Sequence, residues 1–117
     1  MPTRVLIVDD DPRFCALARA LLQASGYIVV AEAADGAEAL AAADRVCPDA
    51  ALVDVQLPDT DGFELARRLA KNDGGLRIVL TSTDPTITPA VLAASGARAF
   101  VPKHELAVTD LAPWLGG

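Results

Sequence analysis

Short apolar segments alternate with helix-like segments along this chain, and that alternation limits the folds it can adopt. The apolar segments cover residues 5–8, 28–33, 50–53, 76–80 and 99–101. Each is of strand length, and residues 5–8 form a continuous apolar run, as is typical of a central strand covered on both faces. Strict alternation predicts a parallel sheet with helices on both faces, and five such strands commonly take the order 2-1-3-4-5. We therefore predict one doubly wound α/β domain over residues 1–117, with five strands and five helices.

Capping residues, glycine and proline mark the ends of the predicted helices. Asp11 and Pro12 are typical of an N-cap and a first helical residue, and Gly26 is typical of a residue that ends a helix. One face of this helix carries the apolar side chains of Phe14, Leu17, Ala18, Leu21 and Leu22. Further helices are predicted over residues 36–46, 63–70, 88–95 and 109–115, and a loop over residues 72–75. Pro102 follows the fifth strand, where its missing N–H is best tolerated if that strand lies at an edge.

The composition restricts the class of protein. Hydrophobic residues make up 52% of the chain, which excludes a disordered tail. No apolar run approaches the roughly 20 residues needed to span a bilayer, and the N-terminus does not resemble a secretory signal. Cys15 and Cys47 lie far apart without metal-ligand spacing, so we expect buried thiols in a reducing compartment, the cytoplasm.

The charge of the chain argues against direct nucleic-acid binding. The formal net charge is −6, and no block of Lys and Arg resembles a phosphate-tracking stripe. Aspartate outnumbers glutamate by 12 to 4. Because aspartate favours caps and loops, this excess fits either many capped helices or several aspartates that share one end of the fold. The positions of the aspartates decide between these explanations.

Polar side chains collect where the predicted strands end. Asp9 and Asp10 follow the first strand, Asp54 the third, Thr81 the fourth and Lys103 the fifth. In open α/β sheets, ligands bind beyond the carboxyl ends of the strands where the strand order reverses, which is here between the first and third strands. Each residue alone is commonly a cap, a strand end or a solvated charge, but together they predict a site.

Three neighbouring carboxylates repel one another, and a hard divalent cation removes that repulsion. Oxygen ligands without a Cys/His cluster favour Mg²⁺ or Mn²⁺ over zinc. A phosphoryl group could then lie between the metal and Lys103, with Asp54 as the nucleophile and the Thr81 hydroxyl bonded to a phosphoryl oxygen. A simple capping and turn cluster over residues 9–11 stays open as the alternative.

Four segments around these residues share one pattern: residues 5–11 (VLIVDDD), 52–62 (LVDVQLPDTDG), 78–82 (IVLTS) and 96–103 (GARAFVPK). In this combination the chain resembles the receiver domains of two-component response regulators, nearly over its whole length. The resemblance implies a flavodoxin-like fold and a bacterial protein of the cytoplasm. It also implies that Asp54 accepts a phosphoryl group from a histidine kinase or a phosphotransfer protein.

The same resemblance implies a role for each residue of the metal site. Asp10 and Asp54 would ligate Mg²⁺ directly, together with the backbone carbonyl of Gln56, and Asp9 would act largely through water. The chain would be a phosphoacceptor that promotes its own phosphorylation and dephosphorylation, and not an enzyme.

The resemblance further implies a conformational switch. Lys103 would pair with the phosphoryl group, the Thr81 hydroxyl would move toward it, and the Phe100 ring would turn inward. We expect an output protein or a second copy to bind the face of the fourth helix, fifth strand and last helix. Apolar surface near Trp114 and Leu115 could be covered by such a partner.

Some positions depart from the commoner family pattern. His104 stands where the family often has proline, so a cis peptide is not expected there, and His104 is expected to be an exposed loop residue. Gln56 and Thr83 occupy positions that the family uses to set phosphate lifetime, which the sequence leaves open. Pro85 and Pro89 are expected to shorten the fourth helix.

Three other functions compete with this interpretation. An aspartyl phosphatase would need an Asp-x-Asp motif, but Gln56 stands at the second position and cannot transfer the proton. A flavin-binding domain would need a Gly/Ser/Thr-rich first loop. A degenerate receiver, acting as a constitutive protein-interaction module, stays the alternative. Since the chain stops at Gly117, we expect either a stand-alone domain or a piece of a longer protein.

Overall fold

The computed structural model describes residues 2–72, 75–84 and 86–116, which form a five-stranded parallel sheet with flanking helices. The strands are β1 (Arg4–Val8), β2 (Ile28–Ala33), β3 (Ala50–Asp54), β4 (Arg77–Ser82) and β5 (Ala99–Pro102). Their order is β2-β1-β3-β4-β5, so the predicted order is confirmed and reverses between β1 and β3. The register pairs Val8 with Val53 and Asp54 with Thr81, which brings the carboxyl ends of the central strands to one level.

Helices cover both faces of the sheet. They are α1 (Pro12–Ala24), α2 (Gly36–Val46), α3 (Gly62–Asn72), α4 (Pro89–Ser95) and α5 (Ala112–Leu115). Because successive strand residues point to opposite faces, Val5 and Ile7 pack in the cluster with α1 and α5, whereas Leu6 and Val8 pack in the cluster with α2 and α3. Within the described part of the chain, no helix is long and apolar enough to cross a membrane.

Side-chain caps begin four of the helices, as the sequence predicts for α1. Asp11, Asp35, Asp61 and Thr88 precede α1, α2, α3 and α4, and each side chain accepts a hydrogen bond from a backbone N–H two or three residues later. Asn72, predicted to lie in a loop, instead belongs to α3. The remainder of that predicted loop at residues 73–74, and residue 85, lie outside the described residues.

The segment after β5 differs from the prediction. A 3₁₀ helix covers Lys103–Val108, and α5 begins only at Ala112. Pro113 explains this late start, because proline is tolerated in the first turn of a helix but removes a hydrogen bond and clashes in its interior. Leu115 is fully buried, and Arg77 Nε donates to its carbonyl at 2.9 Å. The short helix is therefore fixed to the core, and the prediction that Leu115 contributes to an exposed apolar surface is wrong.

Two side chains predicted to be buried are exposed. Leu17, expected on the apolar face of α1, is 49% exposed. Cys47 is exposed as well, whereas Cys15 is buried as predicted. Cys47 closes α2 with φ 46° and ψ 63°, the left-handed conformation that glycine usually supplies at this position. Its backbone geometry turns the chain toward Pro48, and this turn places the thiol outside the core.

We predict that Cys47→Gly stabilises the protein. A side chain with a Cβ costs energy in the left-handed region, and glycine removes that cost while adding some freedom to the unfolded chain, for a net gain of about 0.5–1 kcal/mol. Cys47→Ala is the matched control, since it removes the thiol but keeps the Cβ. Urea unfolding should show a higher midpoint for Cys47→Gly alone, at an unchanged slope. Equal midpoints for both variants would contradict the prediction.

Candidate functional site

Three carboxylates meet at the carboxyl edge of the sheet, between β1 and β3. One oxygen from each of Asp9, Asp10 and Asp54 lies within 4.8 Å of the others. Asp9 is 3% exposed and Asp54 is 5% exposed, whereas Asp10 faces solvent. The structure thus brings together the three aspartates that the sequence predicted to share a site, with one of them open to water.

Asp9 is held in place by the first turn that follows β1. Its N–H donates to the Ala33 carbonyl at 2.9 Å, which continues the pairing of β1 with β2. Its Oδ1 accepts from the Asp11 N–H at 2.8 Å, and the Cys15 thiol donates to its carbonyl at 3.4 Å. Burial, and then the nearby Asp9 carboxylate, raise the pKa of the Cys15 thiol to about 11. This thiol is therefore a packing group and not a nucleophile.

Asp54 is positioned by β3 and by the turn that follows it. The Val55 N–H donates to the Thr81 carbonyl at 2.9 Å, and the Gln56 N–H donates to Asp54 Oδ1 at 3.2 Å. Gly62 begins α3 directly behind this turn, and a Cβ at Gly62 would lie 2.3 Å from the Asp54 carbonyl oxygen. Only glycine permits this close approach, so Gly62 fixes the backbone that presents the carboxylate.

Lys103 reaches the same carboxylates from the end of β5. Its Nζ lies 2.7 Å from Asp9 Oδ2 and donates a hydrogen bond to Asp54 Oδ2 at 3.4 Å. The shorter contact is a close ion pair, so one ammonium contacts both buried aspartates. Lys103 Nζ also lies 4.5 Å from the centre of the Phe14 ring, a cation–π contact that restrains its position.

Burial and mutual repulsion shape the charges of the site. Burial, followed by the charge of Asp9, raises the pKa of Asp54 above its ordinary value of 3.8, although the Gln56 N–H and Lys103 oppose this shift. Burial would lower the pKa of the Lys103 ammonium, but the carboxylates of Asp9 and Asp54 outweigh it and raise that pKa. One ammonium therefore does not fully compensate the aspartates.

This donor set fits a hard divalent cation. The cluster offers oxygen ligands alone, sets three carboxylates against one ammonium, and opens to solvent at Asp10. Mg²⁺ prefers oxygen ligands and keeps several waters, which an open side of the site allows. The cluster could thus hold Mg²⁺ or Mn²⁺ on Asp9, Asp10 and Asp54. The structure does not define a role for the Gln56 carbonyl, which stays a prediction.

Thr81 and Phe100 lie beside this site on neighbouring strands. Thr81 is 1% exposed, and its Oγ1 has no hydrogen-bond partner among the described residues. Such an unpaired buried hydroxyl is available to a ligand that reaches it. Phe100 is half-buried on β5, and its ring lines a small cavity of about 60 Å³ together with Ser82 and Ile87. The two predicted switch residues are therefore close to the site, and their coupling stays a prediction.

A groove opens beside Lys103 on the surface of α1. It has a volume of about 440 Å³ and is lined by Asp11, Arg13, Phe14, Leu17, Thr83, Lys103 and His104. His104 is exposed, as predicted, but it lies in the 3₁₀ helix and not in a loop. The described residues contain no cis peptide bond, which agrees with the expectation for His104. Thr83 is exposed at the rim of the site.

Sequence reasoning missed three residues that support the site. Phe14 was assigned only to the core, and no local pattern links it to Lys103. Gly62 follows a turn motif and begins a helix, which signals a close approach but does not identify the atom approached. Asp59 accepts hydrogen bonds from Gly36 and Ala37, more than 20 residues earlier, and the sequence carried no signal for this contact.

Comparison with known proteins supports the resemblance that the sequence motifs indicated. The family model described as "Response regulator receiver domain" matches residues 5–111. Transcriptional regulatory protein TrcR of Mycobacterium tuberculosis is 38% identical over 103 residues, which are 87% of this chain and 40% of that protein. The chain spans about half or less of the length of the curated relatives it matches.

Solved structures agree with the fold. A receiver domain protein (CheY-like) from Methanospirillum hungatei JF-1 superimposes with a TM-score of 0.79 at 29% identity, covering 88% of this chain and 82% of that chain. A LuxR-family two-component response regulator from Aurantimonas sp. SI85-9A1 gives a TM-score of 0.77 at 33% identity, covering 88% and 75%.

The raised pKa of Asp54 predicts a specific pH dependence of stability. In metal-free protein, the folded state binds the Asp54 proton more tightly than the unfolded state does. This contribution to stability is present below about pH 3.8 and is lost as the pH rises through the folded-state pKa. Asp54→Asn, which cannot ionise, should therefore be more stable than the wild type at pH 7 but not at pH 3.5. Chemical unfolding in chelator at both pH values measures the difference.

The exposed Asp44 offers a matched control near the end of α2. Asp44→Asn should change stability little at either pH, because single exposed charges contribute little. A wild type that is more stable than Asp54→Asn at pH 7 would show that Lys103 outweighs burial, contrary to the prediction.

Proposed function

This chain belongs to the receiver domains of response regulators, and we propose that it accepts a phosphoryl group on Asp54 with Mg²⁺ or Mn²⁺ bound beside it. The observation that best supports the proposal is the cluster of Asp9, Asp10 and Asp54, with oxygens within 4.8 Å, in contact with Lys103. An ion pair that served only stability would not need three carboxylates for one ammonium. In this proposal the chain is a phosphoacceptor that promotes its own phosphorylation and dephosphorylation, and not an enzyme with a separate substrate.

The chemistry that we propose is transfer from the phosphohistidine of a donor protein. An Asp54 oxygen attacks phosphorus, a P–O bond forms, the P–N bond breaks, and the imidazole leaves with the bonding electron pair. Lys103 Nζ, 3.4 Å from Asp54 Oδ2, would pair with a phosphoryl oxygen. The bound metal would supply positive charge to the other phosphoryl oxygens. The Thr81 hydroxyl, which lacks a partner among the described residues, would donate to the phosphoryl group once it is attached.

Different roles for the two aspartates after β1 follow from their surroundings. Asp10 is exposed and would ligate the metal directly, together with Asp54 and the Gln56 carbonyl. Asp9 already contacts the Asp11 N–H and the Lys103 ammonium, which supports an indirect role through water. Truncation of Asp10 should therefore weaken metal binding more than truncation of Asp9.

We propose that the phosphoryl donor binds over the groove beside Lys103. The groove lies next to the site and includes the Leu17 side chain, which is 49% exposed on α1. The groove combines the apolar side chains of Phe14 and Leu17 with polar side chains around them, an arrangement similar to a protein interface. The donor would be a histidine kinase or a phosphotransfer protein, and the reaction would take place in the cytoplasm.

We propose that the output is transmitted through the face of α4, β5 and α5, to an output protein or a second copy of the chain. Phe100 on β5 lies under this face and next to the cavity that its ring could enter. On α4, the exposed apolar side chain is Val91, at 42% exposure. The net charge of −6 disfavours DNA as the direct partner of this domain.

We predict a single phosphoryl adduct on Asp54. Incubation with acetyl phosphate and Mg²⁺ should add one phosphoryl group, detected by intact mass, and Asp54→Ala or EDTA should abolish it. Asp44→Ala should leave the adduct unchanged, because Asp44 is an exposed residue near the far end of α2. An adduct that forms equally in Asp54→Ala would refute the assignment. A wild type that is never phosphorylated would instead support the alternative, a constitutive interaction module.

We predict that phosphorylation shifts a two-state equilibrium through Thr81 and Phe100. Beryllofluoride, which mimics the phosphoryl group, should change hydrogen exchange in α4 and β5, because it binds the state in which Thr81 contacts it more tightly. Thr81→Ala should still bind beryllofluoride but lose at least half of that response. Identical exchange changes in both proteins, or changes confined to α1 and α2, would contradict the proposed coupling.

A further inference from the structure

The turn after β3 is held to the start of α2 by one carboxylate. Asp59 Oδ1 accepts from the Gly36 N–H at 2.8 Å, and Asp59 Oδ2 accepts from the Ala37 N–H at 3.1 Å. Each oxygen of the Asp59 carboxylate thus accepts a hydrogen bond from a residue 23 or 22 positions earlier in the chain. We propose that Asp59 is a positioning residue for the phosphoacceptor site, because it holds Gln56 against the Asp54 carboxylate.

The amino end of α2 does not need Asp59 as its cap. The N-cap Asp35 accepts from the Glu38 N–H at 2.8 Å, and Glu38 accepts from the N–H of Ala34, the residue before the cap, at 3.0 Å, an arrangement similar to a capping box. The first N–H groups of the helix still lack intrahelical acceptors. Gly36 and Ala37 supply these free donors, and Asp59 binds both of them.

The fit between the turn and the helix is close. A Cβ at Gly36 would lie 2.6 Å from Thr60 Cγ2 and 3.3 Å from Asp59 Oδ1. Gly36 is buried although it begins a helix near the surface. Glycine at this position therefore permits the turn to approach the helix, and a larger residue would push the turn away.

The other end of the turn is fixed to α3. The Gly62 N–H donates to the Val55 carbonyl at 2.7 Å, Gln56 and Asp61 form a β-bridge, and Asp61 accepts from the Glu64 N–H at 2.8 Å. Asp59 is therefore the contact that holds the outer part of the turn. Asp59 lies three positions after Gln56, with Leu57 and Pro58 between them. The chain between the two residues spans about 10 Å at most, so we expect a displacement of Asp59 to move Gln56.

Gln56 is the part of the turn that contacts the site. Its N–H donates to Asp54 Oδ1 at 3.2 Å, which favours the ionised carboxylate. Its carbonyl is the proposed third protein ligand of the metal, and to that extent the inference rests on the proposed function. If the turn moves, both contributions of Gln56 weaken, although Asp59 itself touches neither the metal nor Asp54 in this scheme.

The test compares two aspartates that cap the same helix. Asp59→Ala removes the contact with the turn, whereas Asp35→Ala removes the cap internal to α2 and serves as the matched control. In calorimetric titrations of the full chain with Mg²⁺, Asp59→Ala should weaken binding three- to tenfold, and Asp59→Asn, which keeps one acceptor oxygen, should weaken it less. Asp35→Ala should keep wild-type affinity within a factor of two while it lowers the unfolding midpoint.

A second variant alters the contact between the turn and α2 by a change in the helix. Gly36→Ala keeps the Asp59 carboxylate but displaces Thr60, so it should weaken Mg²⁺ binding as Asp59→Ala does. Wild-type Mg²⁺ affinity in Asp59→Ala would overturn the inference. An equal loss of affinity in Asp35→Ala would overturn it as well, because a loss of helix stability would then account for the effect.

Backbone amide NMR without Mg²⁺ separates the inference from the proposed function. In Asp59→Ala, the Gln56 and Leu57 amide signals should shift and the Gly36 amide should exchange faster, whereas Asp35→Ala should leave the signals of the turn in place. If the wild type binds no Mg²⁺, the proposed metal site fails, and these signals alone decide the inference. Unshifted Gln56 and Leu57 signals in Asp59→Ala would then overturn it.

Discussion

The structure depends on an excess of negative charge at one edge of its sheet. The parallel order brings the carboxyl ends of β1 and β3 together, where Asp9, Asp10 and Asp54 lie beside the half-buried Lys103. Their repulsion is a cost in the metal-free chain, since the charged form of a buried carboxylate is disfavoured. The paired and buried strands β1 and β3 hold Asp9 and Asp54 close together despite this repulsion. The edge is thus suited to bind a cation, and a bound cation together with Lys103 would then offer positive charge to a phosphoryl group.

The elements around the site hold its residues in place. Phe14 supports Lys103 from α1, and Gly62 allows α3 to lie directly behind Asp54. Asp59 connects the intervening turn to α2. Thr81 stands on the remaining side, and its hydroxyl has no partner among the described residues, so a group bound at the site could contact β4 there. Phe100, on the neighbouring strand β5, is only half-buried.

Much of the fold and of the site follows from the sequence, because both depend on patterns that are local. Continuous apolar runs define the strands, and a parallel sheet places residues after each strand at one edge, so Asp9, Asp54 and Lys103 meet as predicted. The errors have local and longer-range causes. Pro113 delays the start of α5, and Leu115 packs into the core, where Arg77 on β4 donates to its carbonyl. The contact of Asp59 with Gly36 joins residues with no shared local pattern, so no sequence rule could have predicted it.

The difference between the two cysteines has a practical consequence. Cys15 lies beside Asp9 with a pKa of about 11, so at neutral pH it is almost wholly in the unreactive thiol form and is also shielded by the core. Cys47 is exposed at the opposite end of α2 from the Asp59 contact. A maleimide-linked fluorophore or spin label would therefore attach at one place, remote from the carboxylates. The natural chain already carries a single-site handle, through which its conformational changes can be observed without engineering the phosphoacceptor region.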